Sequence, residues 1–366
     1  MKKRILQIVP TLDWAGTEKQ MSLLVRRLPR DQFDVCVCAL SQGGPLAAEL
    51  ASAGVEVATF GRRWPLDPRA VWQLQRHVAR WRPDLIHCWL SAANAYGLAV
   101  ARACRVKCLV AALRNIEPPK GWIELATDRY VGRRCSRLVV NSGAVREYYV
   151  RRGLPAGKIR VIPNGVGSNG QSDTTRRQLL AELGLPAPSR LVGVVGRLSR
   201  QKRIKDAIWA ADLLKVIRDD VHLLIIGDGP HRQRLQTFRK QVVIRDKVHF
   251  LGDRGDVSQW MPHFDVLWST GGAEGQSNAV MEAMAASVPV VATDVPGARE
   301  LVVPEQTGYL VALGDRAGIA RHTNRLLEDG ELAERLGRAG RERVEREFHS
   351  RKMVEQYVSL YRESLE

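Results

Sequence analysis

Short apolar runs alternate with stretches of helical periodicity along most of the chain. In the first half RILQIVP, FDVCVCAL, VEVAT, DLIHCWL, KCLVAALR and RLVVNS predict strands, and patterns such as EKQMSLLVRRL and AVWQLQRHVARW predict the helices between them. The segment KIRVIPNGVGSNGQSD starts strand-like and then turns rich in Gly, Asn and Ser, which predicts an interdomain linker. The alternation then restarts, with LVGVVGRL, VHLLIIGDGP, KVHFLG, DVLWST and PVVATDV as strands and DAIWAADLLKVIR and QRLQTFRKQV as helices. From Arg316 onward the chain is helical and highly charged. Two α/β halves with parallel sheets follow, and two such halves joined by a linker imply a ligand cleft between them.

The 366 residues suit two domains, and 45% hydrophobic content supports a full core. No apolar run approaches the roughly 18 residues of a spanning helix. The start, MKKRILQIVPTLDWAG, lacks a long apolar region and a cleavage site, so it predicts a first strand and not a signal peptide. Cys36, Cys38, Cys88, Cys104, Cys108 and Cys135 form no CxxC pair, so they suggest reduced core thiols of a cytosolic protein, with spacings wrong for a metal cluster.

Charge changes the picture further. Residues 1–165 carry 27 Lys and Arg against 12 Asp and Glu, whereas the remainder carries 29 against 27. This one-sided excess suggests an anionic partner for the first half, such as an anionic membrane surface, through Arg62, Arg63 and Trp64 and the run Arg129, Arg133, Arg134 and Arg137; a merely solvated basic face is the simpler alternative. Basic residues interleaved with aromatic ones in the manner of an RNA-binding sheet are missing, which counts against nucleic acid.

Four motifs carry candidate chemistry. In EGQSNAVMEAMAASVPVVATD, Glu274 follows a strand and Glu282 lies in an apolar helical run. Gly275, Gln276, Ser277 and Asn278 lead into that helix, whose N-terminal amides suit phosphate, while the two carboxylates suit hydroxyls of a sugar and a ribose. Gly16 in the GTEK motif lets backbone approach a phosphate, although a tight turn capped by Thr17 serves as well. In GRLSRQK, Arg197 and Lys202 form a cation pair fit for a diphosphate, or two surface cations. In GDGP, Asp228 is read as a turn or cap residue.

The succession GTEK, KIRVIPNGV, GRLSRQK, IIGDGP, VHFLG, EGQSNAVMEAMA, PVVATDVPGARELV and TGYLV resembles the retaining glycosyltransferases of family four. That resemblance covers nearly the whole chain. It implies the GT-B fold, an α/β architecture of two Rossmann-like domains facing each other across a deep cleft: an acceptor-side domain over residues 1–165, a donor-binding domain over 166–345, and a final helix over 346–366 returning to the first domain. It implies transfer from a nucleotide diphosphate sugar with retained anomeric configuration and no metal or other cofactor; independently of it, UDP is the default base over GDP. Arg197 and Lys202 would hold the diphosphate, Glu282 the ribose and Glu274 the donor sugar; the Gly275–Asn278 loop would add backbone contacts and Gly16 would approach the phosphate. The acceptor would be a saccharide or a lipid-linked one, in bacterial exopolysaccharide, lipopolysaccharide or glycolipid synthesis, with the enzyme in the cytoplasm or on the inner face of the membrane. One departure stands out: Arg114 occupies the place of a family His, and a guanidinium cannot act as a base but can hold a phosphate or an anionic acceptor. His87, ending its strand, is a fallback cleft residue or an ordinary half-buried His. A nucleotide-sugar 2-epimerase shares the fold, and a non-catalytic nucleotide-sugar or nucleic-acid binding module is a third class.

Overall fold

A computed structural model describes residues 2–116, 121–167 and 172–366. Its elements separate into two units, Met1–Gly165 with Ser350–Glu366, and Val166–His349.

The first unit alternates strands β1 (Lys3–Val9), β2 (Phe33–Ala39), β3 (Glu56–Thr59), β4 (Leu85–Trp89), β5 (Cys108–Leu113), β6 (Arg137–Val140) and β7 (Ile159–Val161) with helices α1 (Gly16–Arg27), α2 (Pro45–Ser52), α3 (Pro68–Trp81), α4 (Leu90–Ala103), α5 (Trp122–Arg134) and α6 (Gly143–Arg151). The strands form one parallel sheet in the order β3-β2-β1-β4-β5-β6-β7. Because strand side chains alternate, Ile5, Val35, Val37 and Val110 meet the α1 and α2 side, while Leu6, Cys36, Cys38 and Ala111 meet α3, α4, α5 and α6.

In the second unit α7 (Arg176–Glu182), β8 (Arg190–Val195), α8 (Ile204–Lys215), β9 (Val221–Ile226), α9 (Arg232–Arg239), β10 (Val248–Gly252), α10 (Val257–Trp260), β11 (Val266–Ser269), α11 (Asn278–Ala285), β12 (Val290–Thr293), α12 (Pro296–Leu301), β13 (Gly308–Val311), α13 (Arg316–Glu328) and α14 (Gly330–Glu347) build a parallel sheet in the order β10-β9-β8-β11-β12-β13. Two apolar clusters cover its two faces.

The last helix, α15 (Ser350–Leu365), belongs to the first unit. Met353, Val354, Tyr357, Leu360 and Tyr361 fall on one stripe and are buried against the α1 face of that sheet. The hand-over falls at Ser350 and not at 346, because α14 continues to Glu347 and His349 bridges to Val166 in the second unit. The segment read as a linker begins as β7, a full member of the first sheet. The Gln20 amide then clasps Gly165 from both sides at 2.8 Å. Beyond it, Ser168, Asn169, Gly170 and Gln171 lie outside the described residues.

Candidate functional site

Both sheets have a switch point, where successive strands are added on opposite sides and the loops at the strands' carboxyl ends part to leave a crevice. In the second unit it lies between the hydrogen-bonded neighbours β8 and β11. The sequence places GRLSRQK at the end of β8 and Gly271–Asn278 at the end of β11.

Two glycines set the approach of the turns there. Gly227 has φ +129°, and a Cβ on it would stand 2.2 Å from the Gly196 carbonyl. Gly229 likewise packs on the Leu198 backbone, whose amide donates to the Asp228 carbonyl at 2.8 Å. Asp228 is a turn residue: its carboxylate accepts from the Gly229 amide and from Arg232, both at 2.6 Å.

Lys202 crosses over Gly196, and its Nζ lies 2.8 Å from Glu274 Oε1, the side chains being 26% and 8% exposed. Among the described residues Oε1 accepts no well-directed hydrogen bond, so the contact is an ion pair of poor aim. The two loops are tied by Gln201, whose side chain donates to the Ala273 carbonyl and whose own carbonyl accepts from Gly272 at 3.0 Å. Thr270 fixes the Lys202 carbonyl at 2.8 Å. Arg197 is exposed beside this pair in sequence. Gly275 and Gln276 are buried, and Gln276 donates to Glu300 at 3.4 Å. Ser277 caps α11 without a side-chain bond to the helix, and Asn278 and Glu282 share its partly exposed face. Thus Lys202 and Glu274 meet directly, while Arg197, Gly275 to Asn278 and Glu282 border the same strand ends.

In the first unit the switch point lies between β1 and β4. Gly16 opens α1 there, but Thr17 is no cap: Ala15 holds that position with no side-chain bond, and Thr17 is buried inside the first turn. Glu18 beside it is also buried, with Thr11 donating weakly at 3.4 Å. Burial raises its pKa from the ordinary 4.5 to about 7.

Arg114 is buried, only 3% exposed. Its guanidinium donates to the Tyr357 hydroxyl at 3.1 Å and to the Asn164 side chain, and it stacks 4.9 Å above the Trp89 ring. His87 is buried as well and cannot serve as an open cleft residue. Its Nδ1 pairs with the Tyr361 hydroxyl at 2.7 Å, and burial with the nearby Arg114 charge holds its pKa well below the usual range. Gln7 completes this polar seam, donating to Tyr361 at 3.0 Å and accepting from Trp89 at 2.8 Å. Sequence reasoning missed Glu18, Asn164, Tyr357 and Tyr361. The paired tyrosines one helical turn apart were the available signal, and in an apolar stripe they read as core.

Large exposed aromatic side chains cluster in this unit: Trp64, Trp72, Trp122 and Tyr130. Trp64 and Trp122 follow β3 and β5, so both stand at the carboxyl edge of the sheet, and Trp72 and Tyr130 lie on α3 and α5, on one sheet face. Arg76 lies over Trp72, and Arg102 and Arg134 flank Tyr130. Four of the expected basic contacts are otherwise engaged: Arg62 rests 5.7 Å over Tyr96, Arg134 rests 5.3 Å over Tyr130, and Arg129 and Arg137 donate to the carbonyls of Arg152 and Ser136.

Strand order and switch points define an architecture of two parallel α/β units, each with a crevice at the carboxyl ends of its strands. The family of glycosyl transferases group 1 matches residues 175–343, and glycosyltransferase family 4 matches residues 14–168. The chain belongs to the group 1 glycosyltransferases and has the GT-B fold. The structure of Anabaena Alr3699/HepE in complex with UDP-glucose superposes with a TM-score of 0.90 at 24% identity, covering 98% of this chain and 99% of that one. The N-acetyl-alpha-D-glucosaminyl L-malate synthase of Bacillus anthracis is 32% identical over 185 residues, 50% of this chain and 48% of that protein. The UDP-Gal:alpha-D-GlcNAc-diphosphoundecaprenol alpha-1,3-galactosyltransferase of Escherichia coli is 24% identical over 380 residues, 97% of this chain and 95% of that protein.

Proposed function

We propose that this glycosyltransferase moves a sugar from a UDP-sugar to a lipid-linked saccharide, with retention and without a catalytic metal. The ion pair of Lys202 and Glu274 at the β8/β11 switch point carries the donor reading. A buried carboxylate and a cation in poor mutual alignment can each re-pair with a ligand at little cost, the carboxylate with sugar hydroxyls and the ammonium with phosphate. Arg197 adds a second cation, α11 aims its first amides at the same strand ends, and Glu282 is on hand for a ribose.

In the reaction the bond from the anomeric carbon to the diphosphate oxygen breaks, and charge builds on the leaving diphosphate. Lys202 and Arg197 stabilise that charge more than the ground state, the role a metal plays elsewhere. The adjacent acids Asp219 and Asp220 are poor metal ligands, since Lys215 and Lys247 hold the first and Arg218 the second. The acceptor oxygen attacks on the face the diphosphate leaves, and its proton passes to the departing phosphate oxygen. No protein base is needed, which accommodates an Arg at position 114.

UDP is favoured over GDP by the names and ligands of the related proteins, and those names divide between L-malate and a diphosphoundecaprenol acceptor. The exposed Trp64, Trp72 and Trp122 in the basic unit favour the lipid-linked one. A thermal-shift screen of UDP-, GDP- and ADP-sugars, followed by transfer assays with EDTA and analysis of the product anomer, tests the reading. Stabilisation by UDP-sugars, an α-linked product from an α-donor and an EDTA-resistant rate are expected. Turnover of donor alone to an epimer, strict Mg²⁺ dependence or an inverted anomer overturns it.

A further inference from the structure

Cys36 and Cys38 sit two residues apart on β2, so both thiols point to the α3 face, where they are fully buried. His77 lies on α3 between Leu74 and Val78, which pack on the same face, and its ring is held edge-on by Phe60 at 5.9 Å. The two sulfurs and one imidazole nitrogen come within 4.8 Å of one another.

The geometry points to a site for a thiophilic d¹⁰ cation, which we assign to zinc, held by Cys36, Cys38 and His77. Zinc–sulfur bonds of about 2.3 Å and zinc–nitrogen bonds of about 2.0–2.1 Å in a tetrahedron separate sulfur and nitrogen by about 3.6 Å. Cys36 Sγ and His77 Nε2 are 3.5 Å apart, so these two ligands already span a tetrahedral edge. Two sulfurs and one imidazole are a donor set that selects zinc over magnesium or calcium. Partial exposure of His77 gives the ion a way in past otherwise sealed thiols. Glu56 stands opposite Cys36 in the β2/β3 register, and its Oε2 is fixed by the Trp81 indole at 3.1 Å. That leaves a negative charge beside the ligands that complements the ion. Binding would exchange the two thiol protons for one Zn²⁺ and would clip β2 to α3. Its ligands come from β2 and α3 of the first unit and not from the β8 and β11 ends of the second, so it is a stabilising clip and not part of the transfer chemistry.

The test titrates the reduced, metal-stripped full-length protein with Zn²⁺, and separately with Co²⁺ as a spectroscopic probe. One equivalent of Zn²⁺, a thiolate-to-cobalt charge-transfer band and a higher melting temperature are expected. Cys38→Ser and His77→Ala should each lose the one-to-one stoichiometry, and Cys104→Ser should keep it. His77→Ala is the informative variant should the buried Cys38→Ser misfold, because His77 is partly exposed. Absence of the cobalt–thiolate band in folded wild type, or unchanged stoichiometry in His77→Ala, overturns the assignment.

Discussion

Lys202 Nζ lies 2.8 Å from Glu274 Oε1 across two loops that leave adjacent strands. On the proposed mechanism Lys202→Ala removes a preplaced cation that stabilises the leaving diphosphate. Loss of one such electrostatic donor costs roughly 10²–10³ in kcat. Steady-state kinetics with the best UDP-sugar should show that fall, while Glu274→Gln, which keeps the shape and removes the charge, should raise the donor KM. A wild-type rate for Lys202→Ala would refute the assignment of this pair.

The Arg114 guanidinium joins β5, Asn164 and α15, so its first role is to hold the returning helix on its sheet. Tyr357→Phe deletes one hydrogen bond to a charged group and should cost about 1.5–3 kcal/mol of stability. Arg114→Ala also removes the cation over Trp89 and should lower the unfolding midpoint further. Denaturant unfolding and calorimetric titration with UDP separate the two roles. If Arg114 also serves transfer, Arg114→Ala should impair turnover more than UDP binding. An unchanged unfolding midpoint in both variants would contradict the clamp.

Glu18 gives a pH signature. Its folded pKa of about 7 exceeds the ordinary 4.5, so the folded state binds the proton more tightly. Its contribution favours folding fully at low pH and is lost as pH rises through that window. A tenfold difference in proton affinity between the folded and unfolded states is worth about 1.4 kcal/mol, so Glu18→Gln should gain up to about 3 kcal/mol over wild type above neutrality and little near pH 4. His87 works the other way: its depressed pKa leaves stability present above about 6.5 and lost as pH falls below it. Melting curves of both proteins from about pH 5 to pH 8 should diverge as pH rises; parallel curves would mean that Glu18 titrates normally.

Legibility in the sequence followed the range of the interactions. Strands such as RILQIVP and VHLLIIG are apolar on both faces, so a parallel sheet was readable from local pattern alone. So were the loops bearing Lys202 and Glu274, because glycines mark where backbones must approach. The strand at Gly308–Val311 was harder, being four residues long and flanked by turn formers. What local pattern could not carry was the pairing of distant positions. Arg114 read as a strand-end cation because Tyr357 lies 243 residues away. The thiols of Cys36 and Cys38 read as plain core because His77 reaches them only through the packing of α3. Thr17 read as a cap because a helix start inferred from composition is uncertain by about one or two residues.

Membrane association is the prediction with the broadest consequence. Adding Ser350–Glu366 to the first unit brings three charges of each sign and leaves its strongly basic balance unchanged. Trp122 is 80% exposed and Trp64 63%, both at the carboxyl edge of the sheet, with Arg63 exposed beside Trp64. An indole ring settles at the headgroup level, and each nearby basic residue adds about 1 kcal/mol on an anionic surface. A few such contacts hold a protein reversibly, and the field draws a phosphate-bearing lipid acceptor toward the same surface. Among the described residues no helix is long and apolar enough to cross a membrane, so attachment would be peripheral. In flotation with liposomes, binding should rise with the fraction of anionic lipid and fall as salt is raised. Trp64→Ala combined with Trp122→Ala should reduce liposome binding without weakening UDP binding, because neither residue lies at the donor strand ends. Protein that stays unbound at low salt, or a double variant that floats like wild type, would show that the basic face is merely solvated and that the acceptor arrives from solution.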